Sequence, residues 1–297
     1  MMKAHLSGIG FAAIFGFSFV FSKTVLSYLT PFGLLSIRFT LAWLLLEGLR
    51  RMKWIHVSLN QSNIQLAMKV VLAQPLLYFT FENIGLSMVP SSLAGVLIAL
   101  IPLLTLIFQS IMIKSKINII QLGWMMLSLS GVILLTLLNT NPSLGYASLL
   151  GILLMIGAVI SAAMFNLFSK STTQHMSVMT LTYLMMMSGS LGFSVFHGLE
   201  VFFQNTPLHV MVLTNQVTLI FPLLYLGLIA SVGGFFLVNY TLSQISSAQA
   251  SVYANLATVV SVIVGVVFLS ESFGWWHALA SALVIIGVKN SVQTPSI

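Results

Sequence analysis

The sequence predicts an all-α integral membrane protein of ten transmembrane helices, arranged as two five-helix inverted-topology repeats around a central cavity. Three observations predict it. Hydrophobic residues fill 58% of the 297 positions and charged residues 5%, with a mean hydropathy of +1.07. Soluble domains carry roughly a quarter charged residues, so the bilayer must supply most of the solvent. Polar punctuation divides the chain into apolar runs near the length of about 20 residues that one crossing requires. Finally, a polar-studded phrase, "NIGLSMVPSSLAGV" (83–96), returns as "NYTLSQISSAQASV" (239–252).

The expected spans are 6–28, 32–49, 64–85, 89–112, 117–138, 148–168, 178–199, 216–240, 247–269 and 273–290. The first run follows Lys3 and leads into "SKTVLSYL" without an A-x-A-like cleavage site, so it reads as a retained helix rather than a signal peptide. "LTPF" ends the first span, and "EGLRRMKW" with "NQSN" ends the second. "SMVPSS", "KSK", "NTNPSLG", "SKSTTQH", "HGLEVFFQNTPLH", "SQISSAQ" and "SES" separate the others. The runs lack the every-second-residue alternation of outer-membrane strands.

Charge placement sets the orientation. With the N-terminus inside, Lys3, Arg50, Arg51, Lys53, Lys69, Lys114, Lys116, Lys170 and Lys289 fall on the cytoplasmic side. Lys23 and Arg38 fall toward the other side, so the basic residues obey the positive-inside rule. Both termini are then cytoplasmic, in the cytoplasmic (inner) membrane. The high pI of about 9.8 is a matter of topology and not of nucleic-acid binding, since the basic residues sit in short loops. The absence of cysteine excludes disulfides, thiolate metal sites and a cysteine nucleophile. The six histidines lie at span ends or in loops without ligand spacing, so no metal or other cofactor is expected.

An offset of 156 positions aligns the two phrases without a gap. It pairs Asn83 with Asn239, Leu86 with Leu242, Ser87 with Ser243, Ser91 with Ser247 and, further on, Gly131 with Gly287. Each copy holds five spans, and five is odd, so the second copy enters the membrane from the opposite side. The charges agree: "KSK" (114–116) falls inside and its counterpart "SES" (270–272) outside. The repeats are placed at 5–138 and 148–290. Inverted repeats are characteristic of secondary transporters, whose halves rock about a site near the midplane.

Four stretches carry a resemblance to a known family. They are "FGFSFVFSK" (15–23), "PFGLLSIRF" (31–39), "FENIGLSMVPSSLAGVLIALIP" (81–102) and "FLSESFGWWHALASALVIIGV" (268–288). Together they resemble the EamA-type ten-helix carriers of the drug/metabolite transporter superfamily, over about 5–290. The chain departs from the pattern at Phe15, where the family often has Trp, and between its own halves at Ser115 against Glu271 and Pro102 against Thr258. The resemblance implies a solute carrier with a cavity between the halves. It leaves the substrate open among amino acids, related metabolites and drugs.

Backbone breaks point to where a solute could bind, because an unwound helix offers free carbonyl and N–H groups. Pro75 in the third span and Gly233 and Gly234 in the eighth are the expected breaks, and the same offset brings them within a turn of each other. Close helix packing is the competing reading. The candidate cavity residues are Gln74, Tyr78, Asn166, Ser231, Gly234, Asn239, Tyr253 and Asn255, although Asn239 also suits an interhelical bond. Phe15, Phe17, Phe19 and Phe21 spread around the first helix, and most of them are expected to face lipid or neighbouring helices.

Arg38 and Glu82 are the costliest residues to bury, at about 2.5–3.5 kcal/mol for a charge at the centre of a span. Arg38 lies roughly 10 Å inward from Pro31 at a rise of 1.5 Å per residue, and Glu82 sits at similar depth. The two are expected to pair, directly or through water. The pair either braces two helices or makes Glu82 the group that takes up a coupling proton. Glu47, beside Arg50 and Arg51, reads as a local ion pair.

The function expected is a secondary active transporter moving a small organic solute, an amino acid or related metabolite, by alternating access and in the import or export direction. The chain lacks a Walker A loop, and four acids without Asp leave little for an enzyme to work with. The alternatives are a membrane scaffold or receptor and a lipid-processing protein, neither of which moves solute. The expected partners are the solute, the lipid bilayer and protons as coupling ion, on a monomer or homodimer.

Overall fold

The computed structural model describes residues 2–86, 88–89, 91–114, 116–138, 149–204, 217–269 and 274–294. All regular structure among them is helical. The elements are α1 (Met2–Leu26), α2 (Pro31–Arg51), α3 (Gln61–Val71), α4 (Tyr78–Leu86), α5 (Ser91–Ile98), α6 (Ile101–Ile113), α7 (Ile119–Leu138), α8 (Leu149–Thr172) and α9 (Val178–Gln204). There follow α10 (Ile220–Leu224), α11 (Phe235–Gln244), α12 (Ser247–Leu269) and α13 (Trp275–Gln293). Among the described residues eight helical segments are long and apolar enough to cross a membrane, and Ile119–Leu135 is apolar but shorter. The chain is a multi-pass membrane protein.

Local chemistry sets the helix ends. Thr30 caps α2, its Oγ1 accepting from the Gly33 N–H at 3.2 Å, and Pro31 follows at a position where a missing N–H costs nothing. Arg50 and Arg51 close the same helix, against the negative end of its dipole. Asn60 caps α3 through the Asn63 N–H at 2.8 Å.

Three irregularities interrupt the rods. Gln74 is extended (φ −153°, ψ 125°) between α3 and α4, inside the wide-turn segment Leu72–Leu77. A second wide-turn segment, Tyr225–Gly234, joins α10 to α11. The offset of 156 carries the first segment onto the second. The third interruption corrects the continuous fourth span: α5 stops at Ile98 and α6 starts at Ile101. Pro102 explains it, because a proline ring in a helix collides with the carbonyl four residues earlier, here that of Ile98. Gly233 and Gly234 lie at the end of the second wide-turn segment, where the helix widens without leaving helical geometry.

Packing relies on small residues, as it must where lipid is as apolar as the side chains. A Cβ on Gly131 would stand 2.7 Å from the Ala280 carbonyl, and one on Gly287 would stand 2.6 Å from the Ser128 amide. These offset-related glycines thus bring α7 and α13 into backbone contact. Between α2 and α9, Gly189 admits the Phe39 ring, and hydroxyl pairs join Thr40 to Ser190 at 2.9 Å and Ser36 to Ser194 at 3.1 Å. The charge contrast between 114–116 and 270–272, with Ser115 and Glu271, lies largely outside the described residues.

Candidate functional site

A cavity of about 210 Å³ opens between the helices. Five phenylalanines from four helices line it: Phe11 and Phe15 of α1, Phe79 of α4, Phe165 of α8 and Phe235 of α11. The polar part of the wall includes Arg38, Gln74, Tyr78, Glu82, Asn83 and Asn166. The lining is partly exposed at Ser22, Leu26 and Leu86 and buried at Leu242, Ala250 and Ser251, so the cavity narrows away from the α1–α2 turn.

Arg38 is 6% exposed. Its Nε donates to Ser231 Oγ at 2.7 Å, and its guanidinium carbon lies 5.2 Å from the Phe79 ring centre and 5.7 Å from that of Phe39. Ser231 is available because of the wide turn it sits in: its hydroxyl donates to the Leu226 carbonyl, five residues back, at 2.9 Å. A guanidinium carries five N–H donors, and Ser231 occupies one. Cation–π contact with two rings stabilises the charge further.

Glu82 accepts from the Tyr78 hydroxyl at 2.8 Å through one carboxylate oxygen. The residues are four apart on α4, so they share a face. Arg38 and Glu82, expected to pair directly or through water, share no direct ion pair, and each meets a hydroxyl, Ser231 for Arg38 and Tyr78 for Glu82. The two charges instead line one cavity.

The other expected residues divide. Gln74, Tyr78 and Asn166 line the cavity, and Pro75 is buried beside Gln74. Asn166 donates to Thr105 Oγ1 at 3.2 Å. Ser231 acts on the cavity through Arg38. Gly234 lies behind Phe15, where a Cβ would stand 2.7 Å from the ring, and Gly233 meets only Ile14 at 3.9 Å.

Three residues turn away from the cavity. Asn239 is fully buried, accepting from Ser169 Oγ at 2.8 Å and donating to Thr182 Oγ1 at 3.1 Å. Asn255 donates to Ser128 Oγ at 3.1 Å, and the Tyr253 hydroxyl meets His5 Nδ1 at 3.0 Å. Each of these groups found a polar partner on a neighbouring helix, which satisfies it without a solute.

The aromatic wall was missed by sequence reasoning; Phe15, expected against lipid or a neighbouring helix, packs on Phe235 and lines the cavity as well. A signal existed for part of it: Phe79, Phe165 and Phe235 each adjoin a residue already singled out, namely Tyr78, Asn166 and Gly234. Glu47 does form the expected local ion pairs, at 2.7 Å with Arg50 and 2.6 Å with Arg51, and also accepts from the Tyr183 hydroxyl at 2.8 Å.

The profile of the EamA-like transporter family matches residues 2–137 and 149–289. The chain belongs to the EamA-like transporter family. This EamA-like protein is 31% identical over 291 residues to the uncharacterized transporter YcxC of Bacillus subtilis (strain 168), covering 97% of this chain and 92% of that one. It is 25% identical over 277 residues to an uncharacterized transporter of Archaeoglobus fulgidus, covering 92% of each. A crystal structure of 16% identity superposes on it with a TM-score of 0.78, over 99% of this chain and 97% of that one, which shows a shared fold.

Proposed function

We propose that this protein is a secondary carrier for a small zwitterionic organic solute, an amino acid or close relative, which it moves by alternating access across the cytoplasmic membrane. One observation carries the reading: one cavity holds a cation and a carboxylate that share no direct ion pair, against an aromatic wall. A solute carboxylate fits the remaining donors of Arg38, an ammonium fits the second oxygen of Glu82, and an apolar side chain fits Phe11, Phe15 and Phe235. Pockets for drug-sized ligands run about 300–1,000 Å³, so a cavity of about 210 Å³ favours a smaller solute.

Ten spans in two inverted halves, 5–138 and 148–290, remain the best account of the architecture. Packing supports it. α1 runs parallel to α12, as Gly8 against Tyr253 and Gly16 against Val260 require. In the same way α8 runs parallel to α5 and α6, with Ala162 by Ile101 and Asn166 by Thr105. Exchange the halves, and each of these pairs becomes the other. The two matched stretches of the family profile divide the chain at the same place.

Coupling follows from Glu82. A proton and a solute ammonium compete for one carboxylate, so the two occupy it in turn, which is the requirement for proton-driven exchange and suits export. Reconstituted vesicles loaded with amino acids, assayed for flux at two pH values, test the reading. Solute flux that rises with an opposing proton gradient supports it. Absence of flux for every zwitterion, with the protein folded, sinks it in favour of a scaffold or lipid-processing role.

A further inference from the structure

A second, outward-facing space lies on the far side of α1 from the central cavity. α12 packs against both α1 and α13, and those two flanking helices leave a furrow of about 340 Å³ between them. Its existence follows from two close contacts. Gly8 lets the Tyr253 ring lie against the α1 backbone, while Gly287 holds α13 to α7. α13 is therefore drawn toward α7 and α1 toward α12, and the space between is left to lipid.

The floor of the furrow is Tyr253 and Leu256, and its walls are Ile9 and Ile285, which are 51% and 48% exposed. Each wall changes character one helical turn further along. His5 precedes Ile9 by four residues on α1, and Lys289 follows Ile285 by four on α13, so each polar group stacks over the apolar one on its own helix face. Because the two helices run in opposite directions, both polar groups lie at the same end, the one that bears Met2 and Thr294. Lys289 is exposed and forms no ion pair among the described residues. Glu47, Glu82 and Glu200 are each engaged elsewhere.

We propose that this furrow binds an anionic phospholipid, with the phosphate on Lys289 beside His5 and one acyl chain along Ile9, Leu256 and Ile285. An apolar slot open to the bilayer and topped by an unpaired cation matches that molecule in both parts. A zwitterionic lipid brings the same phosphate but carries its own ammonium, and so leaves Lys289 without a net counter-charge. Basic pockets between transmembrane helices are recognised sites for such head groups. α1 and α12 also line the central cavity, so the lipid buttresses two of its walls.

Native mass spectrometry of the purified full chain tests this, with phosphatidylglycerol competing against phosphatidylcholine of the same acyl chains. The wild type retains phosphatidylglycerol preferentially. Lys289→Gln lowers that preference about fivefold, the worth of one basic residue near a membrane surface, and Lys289→Arg keeps it. Ile9→Trp fills the furrow and releases both lipids, with thermal unfolding checked for each variant. Lys116→Gln, exposed at the same end but off the furrow, changes nothing. Equal losses in Lys116→Gln and Lys289→Gln, or a wild type without preference, overturn the site. Competition by glycerol phosphate, which has no acyl chain, overturns the lipid assignment.

Discussion

Replacing Glu82 by glutamine changes one atom and removes the charge, while the amide oxygen can still accept from Tyr78 as the carboxylate does at 2.8 Å. The helix and the cavity wall therefore survive, and any loss belongs to the solute. A hydrogen bond to a charged group contributes about 1.5–3 kcal/mol, which converts to a drop in affinity of about 10- to 150-fold. The partner change, Arg38→Gln, removes the donors that meet the other end of the solute. Isothermal titration with three ligands separates the two: an amino acid, its des-amino acid and its decarboxylated amine. Glu82→Gln weakens the amino acid and the amine and leaves the des-amino acid alone, because that ligand has nothing for Glu82 to hold. Arg38→Gln does the reverse. If both variants weaken all three ligands equally, the charges act as a structural brace and the recognition argument fails.

Three further outcomes follow from the geometry. Ser231→Ala strands a buried guanidinium N–H and destabilises the protein by about 1–3 kcal/mol, read as a lowered midpoint in thermal unfolding. Gly287→Leu drives a side chain into the α7 backbone, where a Cβ alone already stands 2.6 Å from the Ser128 amide. Overpacking of this kind costs about 1–3 kcal/mol or more, measured by the same unfolding assay, and Gly48→Leu, which meets nothing within 4 Å, serves as its silent control. Gly234→Ala pushes the Phe15 ring into the cavity, so affinity for solutes with large side chains falls more than affinity for small ones in competition binding.

How much of this was legible depends on what each residue's neighbours are made of. Pro75 announced its break because a proline has neither the N–H nor the room to continue a helix. Pro102 carries the same chemistry and splits the fourth rod, yet a reading that sought matched breaks in both halves passed over it, since its counterpart is Thr258. The aromatic wall was harder to foresee for a physical reason. In a bilayer the outside of a helix is as apolar as the inside, so no periodicity marks which side of α1 carries Phe15 inward. Buried polar groups were half legible: depth showed that Asn239, Tyr253 and Asn255 needed partners, but whether a partner is a neighbouring hydroxyl or a solute depends on helix rotation. Arg38 and Glu82 stood out because charge in hydrocarbon is rare. That each meets a hydroxyl, Ser231 or Tyr78, is a matter of three dimensions.

The bond from Arg38 to Ser231 joins residues 193 positions apart, one from each half of the chain. An anion that settles on the remaining donors of that guanidinium would share the side chain with a rivet between the two halves. On the proposed reading, the side chain that would meet the cargo is the same one that ties the halves together.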